Sequence, residues 1–142
     1  MDKKTLRIID ANFNRAREGL RVIEDGLRFY YDSNKEYVRR LKEIRHSLSE
    51  GIEKNFGFSS LKKERDSSND IGREFDERGE KETVRQVIER NLMRAGEALR
   101  TLEEYSKAAV PEASLLFHNL RFDLYEIEKD IAAFLDRGAE KN

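Results

Sequence analysis

A set of polar and charged residues recurs at a fixed spacing in this chain, and these residues could bind an anion. The pattern Asn-x-x-Arg-Ala-x-Glu-x-Leu-Arg-x-x-Glu occupies positions 12–24 and returns 79 positions later at 91–103. A guanidinium group can donate two parallel hydrogen bonds to a phosphate or a carboxylate. The repeat therefore makes Arg15 and Arg94 candidates for anion binding.

Helical geometry turns part of this repeat towards the protein interior. At about 100° per residue, Asn12 and Arg15 fall inside the wide apolar arc of the first predicted helix. Burying such groups without partners costs roughly several kcal/mol, so they must be paired or line a cavity. Two interpretations stay open: a structural network that fixes the register of two related helices, and a polar cavity that binds an anionic ligand.

Hydrophobic periodicity predicts an all-α fold with one domain over residues 1–142. Repeat one covers about 4–57, a long loop covers about 58–81, and repeat two covers about 82–137. Each repeat contains two long helices with a short link, which favours antiparallel neighbours. The prediction is a duplicated helical hairpin, that is, four long antiparallel helices in a four-helix bundle around a pseudo-two-fold axis.

The duplication predicts that related cations converge. If the two hairpins pack around one axis, Arg15 and Arg94 meet in a shared pocket. Arg45 and Arg121, from the second helix of each hairpin, join them there. The alternative for Arg45 and Arg121 is an ion pair with a nearby glutamate, which is common on helices.

The loop between helices two and three is longer than most connections in compact domains, and such loops often carry function. Three apolar residues are its predicted anchors: Leu61, Ile71 and Phe75. Asp66 and Asp70, followed by Gly72, are short acidic side chains of the kind that bind Mg²⁺ together with phosphate oxygens. The alternatives are solvated carboxylates and a local ion pair between Arg65 and Asp66.

Composition excludes several classes of function. With 28 basic and 29 acidic residues the chain lacks the excess positive charge of a nucleic-acid-binding protein. The absence of cysteine excludes disulfides and thiolate chemistry. No apolar run is long enough to span a membrane, and the N-terminus does not resemble a secretion signal, so a cytoplasmic protein is expected. A di-metal site needs Glu-x-x-His on two helices, and only Glu43 and His46 have this spacing.

Three blocks resemble a known family over about residues 6–129. They lie at 10–24, at 65–72, and at 91–105 followed by 120–126. In these blocks the chain is similar to the helical domain found at the N-terminus of certain two-domain thiamine-phosphate synthases and also alone. This family has been proposed as an alternative hydroxymethylpyrimidine-phosphate kinase. The catalytic barrel of the synthase is not expected here, because helices take up the chain.

The resemblance implies transfer of a phosphoryl group from ATP, with Mg²⁺, to 4-amino-5-hydroxymethyl-2-methylpyrimidine phosphate in thiamine biosynthesis. Asp66 and Asp70 would hold Mg²⁺ or accept a proton. Arg15 and Arg94 would act on the phosphates at the catalytic centre. The implied substrate-binding residues are Asn12, Asn91, Arg45, Arg121, Arg65 and Gly72. No Gly-x-x-x-x-Gly-Lys-Ser/Thr loop is present to cradle a nucleotide in the usual way.

Two alternatives to a kinase are retained. One is a non-catalytic binding or regulatory module that captures the pyrimidine phosphate and acts with a separate thiamine-phosphate synthase. The other is a helical dimerisation protein, in which Gly19, Gly26 and Ala98 would permit close contact between helices of two copies.

Overall fold

The computed structural model describes residues 2–33, 35–75 and 79–141, and in these ranges the fold is all-α, as the sequence predicts. The described α-helices are α1 Lys3–Asp25, α2 Lys35–Asn55, α3 Phe58–Glu64, α4 Val84–Ser106 and α5 Ser114–Lys141. The prediction of four helices is wrong in number, because α3 lies in the segment that was expected to be a loop. These ranges contain no β-strand.

Local signals set both ends of α1. The side chain of Asp2 caps the helix by accepting a hydrogen bond from the backbone N–H of Lys4 at 3.0 Å. At the other end the chain forms a π-helical turn, Gly26–Tyr30, where a continuous α-helix was predicted. Asp32 then adopts a φ of 47°, in the left-handed region that ends helices and that aspartate tolerates. The sequence predicts one continuous helix from about Lys4 to Tyr31, and α1 together with this turn covers that extent, but the last turn is π-helical.

The two repeats pack through α1 and α4. Gly19 of α1 lies against the backbone of Asn91, while Gly26, just after the end of α1, lies against Ile88, earlier on α4, so the two helices run antiparallel. A Cβ at Gly26 would approach the side chain of Ile88 to 2.8 Å, so the absence of a side chain permits this close packing. Gly19 and Gly26 are thus covered by α4 of the same chain, which counts against a dimer formed through them.

The long helices enclose one apolar core. Each of α1, α2, α4 and α5 packs against two of the others. At the contact between α2 and α5, a methyl group at Gly51 would overlap the side chain of Leu116. Buried core residues come from every α-helix; the largest fully buried ones are Phe117, Ile9, Leu20, Ile23, Leu27, Leu41, Leu48, Ile52, Leu61, Ile88, Leu99 and Leu102.

A buried Glu–Arg pair joins the two long helices of each hairpin. Arg45 donates to both carboxylate oxygens of Glu24, from Nε at 2.9 Å and from Nη2 at 3.2 Å. At the equivalent place in repeat two, Nε and Nη2 of Arg121 both lie 3.0 Å from Oε1 of Glu103. None of these four side chains is more than 16% exposed. The recurring final glutamate of the motif is therefore a cross-hairpin ion-pair partner.

The pair in repeat two has a third member. His118 Nδ1 lies 3.2 Å from the second carboxylate oxygen of Glu103. Burial raises the pKa of Glu103, but the hydrogen bonds from Arg121 and His118 outweigh it, so the pKa lies below its usual value. Glu103 is therefore ionised, as the buried guanidinium of Arg121 requires.

The predicted loop is partly ordered by α3. Gly57 has a φ of 80° and turns the chain between α2 and α3. Phe58 then stacks on Phe13 of α1 with ring centroids 5.7 Å apart, and Leu61 is buried, as predicted. The other two predicted anchors are wrong, because Ile71 and Phe75 are 76% and 69% exposed. Residues 76–78 of the predicted loop lie outside the described residues.

Among the described residues, no helix combines the length and the apolar character that a membrane span requires.

Replacing Glu103 by glutamine is expected to lower the free energy of unfolding by about 3 kcal/mol, because the buried guanidinium of Arg121 then lacks a counter-charge. Urea denaturation at neutral pH measures this loss. The matched control is Glu104→Gln, which changes the neighbouring, more exposed glutamate. For that variant a change within about 0.5 kcal/mol is expected.

The same variant tests the ionisation of Glu103. Because its folded-state pKa is lowered, its contribution is complete above the usual value of 4.5 and is lost as the pH falls through the lowered value. The difference between wild type and Glu103→Gln should therefore shrink below about pH 4.5. A difference that is constant between neutral pH and about pH 3 contradicts the assignment.

Candidate functional site

A cleft of about 910 Å³ lies between α1 and the segment that follows α3. It brings together residues that are far apart in sequence, from 7–18 on α1, from 65–70, and from the end of α4. Its lining residues are Arg7, Ile8, Asp10, Ala11, Asn12, Asn14, Arg15, Arg17, Glu18, Arg65, Asp66, Ser67, Asn69, Asp70 and Tyr105. We call this space the first cleft.

An ion pair between Asp10 and Arg65 holds the two walls of the first cleft together. Nε and Nη2 of Arg65 donate to the two carboxylate oxygens of Asp10, both at 2.7 Å. The hydrogen bond to Asp10 raises the pKa of Arg65 above its usual value. A second tie is Arg7 Nε, which donates to the backbone oxygen of Glu64 at 3.0 Å. Arg65 therefore pairs with Asp10 rather than with its neighbour Asp66.

Arg15 has the properties of an anion-binding residue. Its side chain is exposed on α1 and lines the first cleft. It makes no hydrogen bond, ion pair or ring contact with any residue that the structure describes. Asn12, one turn earlier, is buried, and its amide nitrogen donates to the backbone oxygen of Ile8 at 2.9 Å. The guanidinium of Arg15 is thus available to a ligand, while the amide nitrogen of Asn12 already has an acceptor.

The two loop carboxylates stabilise local turns. Both oxygens of Asp66 accept hydrogen bonds from Asn69 Nδ2, at 3.1 and 3.0 Å, and this contact lowers the pKa of Asp66. Asp70 Oδ1 accepts from the backbone N–H of Gly72 at 2.8 Å. In the part of the chain that the structure describes, no three His, Cys, Asp or Glu side chains cluster as metal ligands would. Magnesium binding at Asp66 and Asp70 stays a prediction, and so does ATP as a co-substrate.

The predicted site residues of repeat two lie elsewhere. Asn91 donates from Nδ2 to the backbone oxygen of Val87 at 2.8 Å, which repeats the contact of Asn12. Arg94 is exposed on α4 and is not among the lining residues of the first cleft. Arg45 and Arg121 are held in the buried pairs described above. Of the four arginines predicted to converge, only Arg15 lines this cleft.

Tyr105 is a lining residue to which the sequence analysis gave no role. It is 45% exposed and reaches the first cleft because the end of α4 lies beside the start of α1. Its only sequence signal was its place in the block at 91–105. Membership of that block does not show towards which part of the protein the side chain points. Its ring adds an aromatic surface to the lining of the first cleft.

Comparison with known proteins assigns the chain to a family. The model of the ThiD2 family matches residues 7–130. The chain belongs to the ThiD2 family. No solved structure matches it significantly.

Similar proteins are named thiamine-phosphate synthase. The ThiD2-family chain is 37% identical over 127 residues to the one from Synechocystis sp., which covers 88% of this chain and 35% of the relative. It is 36% identical over 138 residues to that of Prochlorococcus marinus, covering 94% of this chain and 37% of the relative. It is 35% identical over 127 residues to that of Nostoc punctiforme, covering 88% of this chain and 34% of the relative. The chain thus spans about a third of the length of these relatives.

These relatives support a helical domain of thiamine biosynthesis and correct the main functional prediction. The expectation of an ATP-dependent kinase is wrong by this comparison, because the matched relatives of this ThiD2-family chain are named synthases rather than kinases. The alternative of a binding or regulatory module that acts with a synthase agrees better with them.

Replacing Asp10 by asparagine is expected to loosen the segment 66–75 from α1, because Arg65 loses its charged acceptor. A hydrogen bond between charged groups contributes about 1.5–3 kcal/mol, so backbone amides in this segment should exchange at least about tenfold faster. Hydrogen exchange followed by mass spectrometry measures this at neutral pH.

The matched control for this prediction is Asp25→Asn, which removes an exposed carboxylate from the same helix. It should leave exchange at 66–75 unchanged. Wild-type exchange rates across 66–75 in the Asp10→Asn protein would show that the ion pair does not hold the wall of the cleft.

Proposed function

We propose that this protein is a binding or regulatory module that holds a phosphorylated pyrimidine in the first cleft and acts with thiamine-phosphate synthase. The observation that carries the proposal is the exposed guanidinium of Arg15, which lines a cleft and has no partner among the described residues. The family match and the names of the relatives support a role in thiamine biosynthesis. The synthase reaction itself is not proposed for this chain.

The chemistry of the first cleft suits a ligand with a phosphate and a flat ring. A planar guanidinium binds phosphate through two hydrogen bonds, and it stays charged at any physiological pH. Tyr105 offers an aromatic face on which a pyrimidine ring can stack. The volume of about 910 Å³ lies within the usual range for small-molecule sites and exceeds what the ligand alone fills.

Arg65 gives the proposed site a second cation, although it is already paired with Asp10. Arg65 is 42% exposed at its side chain although both oxygens of Asp10 are bound to it. A guanidinium has five N–H donors, and this pair uses two of its nitrogens. The remaining donors of Arg65 are able to contact a phosphate without breaking the ion pair. A bound ligand would therefore touch both walls of the first cleft and hold them together.

Replacing Arg15 by alanine is expected to weaken binding of 4-amino-5-hydroxymethyl-2-methylpyrimidine phosphate. The loss of a charge-assisted phosphate contact corresponds to about 1.5–3 kcal/mol, or roughly a 10- to 150-fold increase in Kd. Isothermal titration calorimetry measures the change.

Arg21→Ala is the matched control, since Arg21 is an exposed arginine of the same repeated motif but does not line the first cleft. It should bind as wild type does. Equal affinity in the Arg15→Ala and Arg21→Ala proteins, both correctly folded by circular dichroism, would refute the proposed site. Equal loss in both would mean that net charge alone explains the binding.

Cooperation with a synthase is tested in a mixture of purified proteins. Adding this protein to a thiamine-phosphate synthase that lacks a helical domain should change the kinetics of the synthase. The concentration of its pyrimidine substrate that gives the half-maximal synthase rate is expected to fall several-fold. The Arg15→Ala protein should lose this effect, and Arg21→Ala should keep it. A synthase whose kinetics do not respond to the wild-type protein would remove the partner from the proposal and leave the ligand-binding result untouched.

A further inference from the structure

A second cleft, of about 410 Å³, lies beside the Asp10–Arg65 pair, between α1, α2 and α3. Its lining residues are Asp10, Phe13, Asn14, Arg17, Ser49, Phe58, Leu61, Lys62 and Arg65. Asp10, Asn14, Arg17 and Arg65 also line the first cleft, so the two spaces share a wall. The ion pair between Asp10 and Arg65 is part of this shared wall.

The second cleft has a local excess of positive charge. Arg17, Lys62 and Arg65 line it, while Asp10 is its single acidic lining residue within the described ranges. Both oxygens of Asp10 are already bound by Arg65. Since the whole chain carries 28 basic and 29 acidic residues, such an excess is a property of this place and not of the overall composition.

Two of these cations are free of carboxylate partners among the described residues. Arg17 Nη2 donates to the neutral side-chain oxygen of Asn14 at 2.8 Å, and its guanidinium carbon lies 5.5 Å from the centre of the Phe13 ring. The side chain of Lys62 is exposed and makes no hydrogen bond or ion pair with a described residue. Other surface arginines described here, such as Arg39 and Arg85, contact glutamate or aspartate. Lys62 and Arg17 are therefore able to neutralise an anion.

Apolar and neutral polar groups complete the second cleft. Phe13 and Phe58 stack with ring planes 18° apart, and Leu61 is buried beside them. Phe58 is partly buried, so part of its ring faces the cleft. Ser49 supplies a hydroxyl from α2. Cations around an aromatic surface are the recognition elements of a phosphate joined to an aromatic ring.

We propose that the second cleft binds a second ligand, a phosphate ester of an aromatic or heteroaromatic ring, beside the one in the first cleft. Lys62 and Arg17 contact the phosphate, and the exposed part of Phe58 contacts the ring. With both clefts occupied, Arg65 lies between two anions and contributes donors to either. This inference rests on the proposed function and extends it, because it places two ligands on one face of α1. The residue that tests the second cleft is Lys62, whereas Arg15 tests the first.

Charge also distinguishes this cleft from the groove between α2 and α5. That groove, of about 360 Å³, is lined by Glu43, Asp123 and Glu126. Its lining cation, Arg40, donates to Asp130 at 2.6 Å. An anionic ligand is repelled there, so the pair of clefts around Asp10 and Arg65 is the favourable place for two phosphate esters.

The experiment uses phenyl phosphate as the probe and follows its titration by ¹H–¹⁵N correlation spectroscopy. In wild type, amide signals of the second cleft, including those of Ser49, Phe58 and Lys62, are expected to shift. Lys62→Ala should weaken phenyl phosphate binding by about tenfold. Lys63→Ala is the matched control, because Lys63 is the next residue of α3, is exposed and lines neither cleft. It should bind within about twofold of wild type.

Testing each variant with both ligands distinguishes the two sites. Lys62→Ala should retain wild-type affinity for the pyrimidine phosphate in the first cleft, and Arg15→Ala should retain phenyl phosphate binding in the second cleft. Shifts confined to first-cleft residues, or equal affinities in Lys62→Ala and Lys63→Ala, would overturn this inference without affecting the proposed function. Loss of discrimination between Arg15→Ala and Arg21→Ala for the pyrimidine phosphate would overturn the proposed function alone.

Discussion

The buried Glu–Arg pairs set the rotation of the two helices on which the rest of the structure depends. Glu24 is turned towards α2 because Arg45 holds both of its oxygens. Arg15 precedes Glu24 by nine residues, or about two and a half helical turns, so it points to the opposite side of α1. An arginine in the first cleft is thus a geometric consequence of an ion pair about 13 Å away along the helix. Glu103 and Arg121 orient α4 in the same way.

The clefts depend on a second ion pair that has no counterpart in the repeat. Asp10 and Arg65 are 55 positions apart and join α1 to the segment after α3. The pair forms a wall of both clefts, and the stack of Phe13 on Phe58 also joins α1 to α3. A duplicated scaffold thereby acquires one specialised face. This asymmetry explains why Arg15 lines a cleft while Arg94, its equivalent, is not among the lining residues.

Some of the fold and part of the site could be predicted from the sequence, and particular residues show why the rest could not. Periodicity located the long helices, and the burial of Leu61 was anticipated. Ile71 and Phe75 were expected to be buried for the same reason as Leu61, but hydrophobicity alone does not reveal whether a loop folds back onto the core. The pairing of Arg65 with Asp10 rather than Asp66, and the approach of Tyr105 to α1, are contacts between distant segments that no local pattern encodes.

The sequence by itself determined the all-α class, the internal duplication and the importance of the polar repeat, because these follow from spacing along one chain. Only the tertiary structure decided which of the repeated polar groups bind other side chains of the protein. Glu24, Glu103, Arg45 and Arg121 satisfy one another across each hairpin, whereas Arg15 remains available. The physical reason is that a buried charge needs an opposite charge close to it in space. The packing of the helices, and not their order in the sequence, determines which groups lie close together.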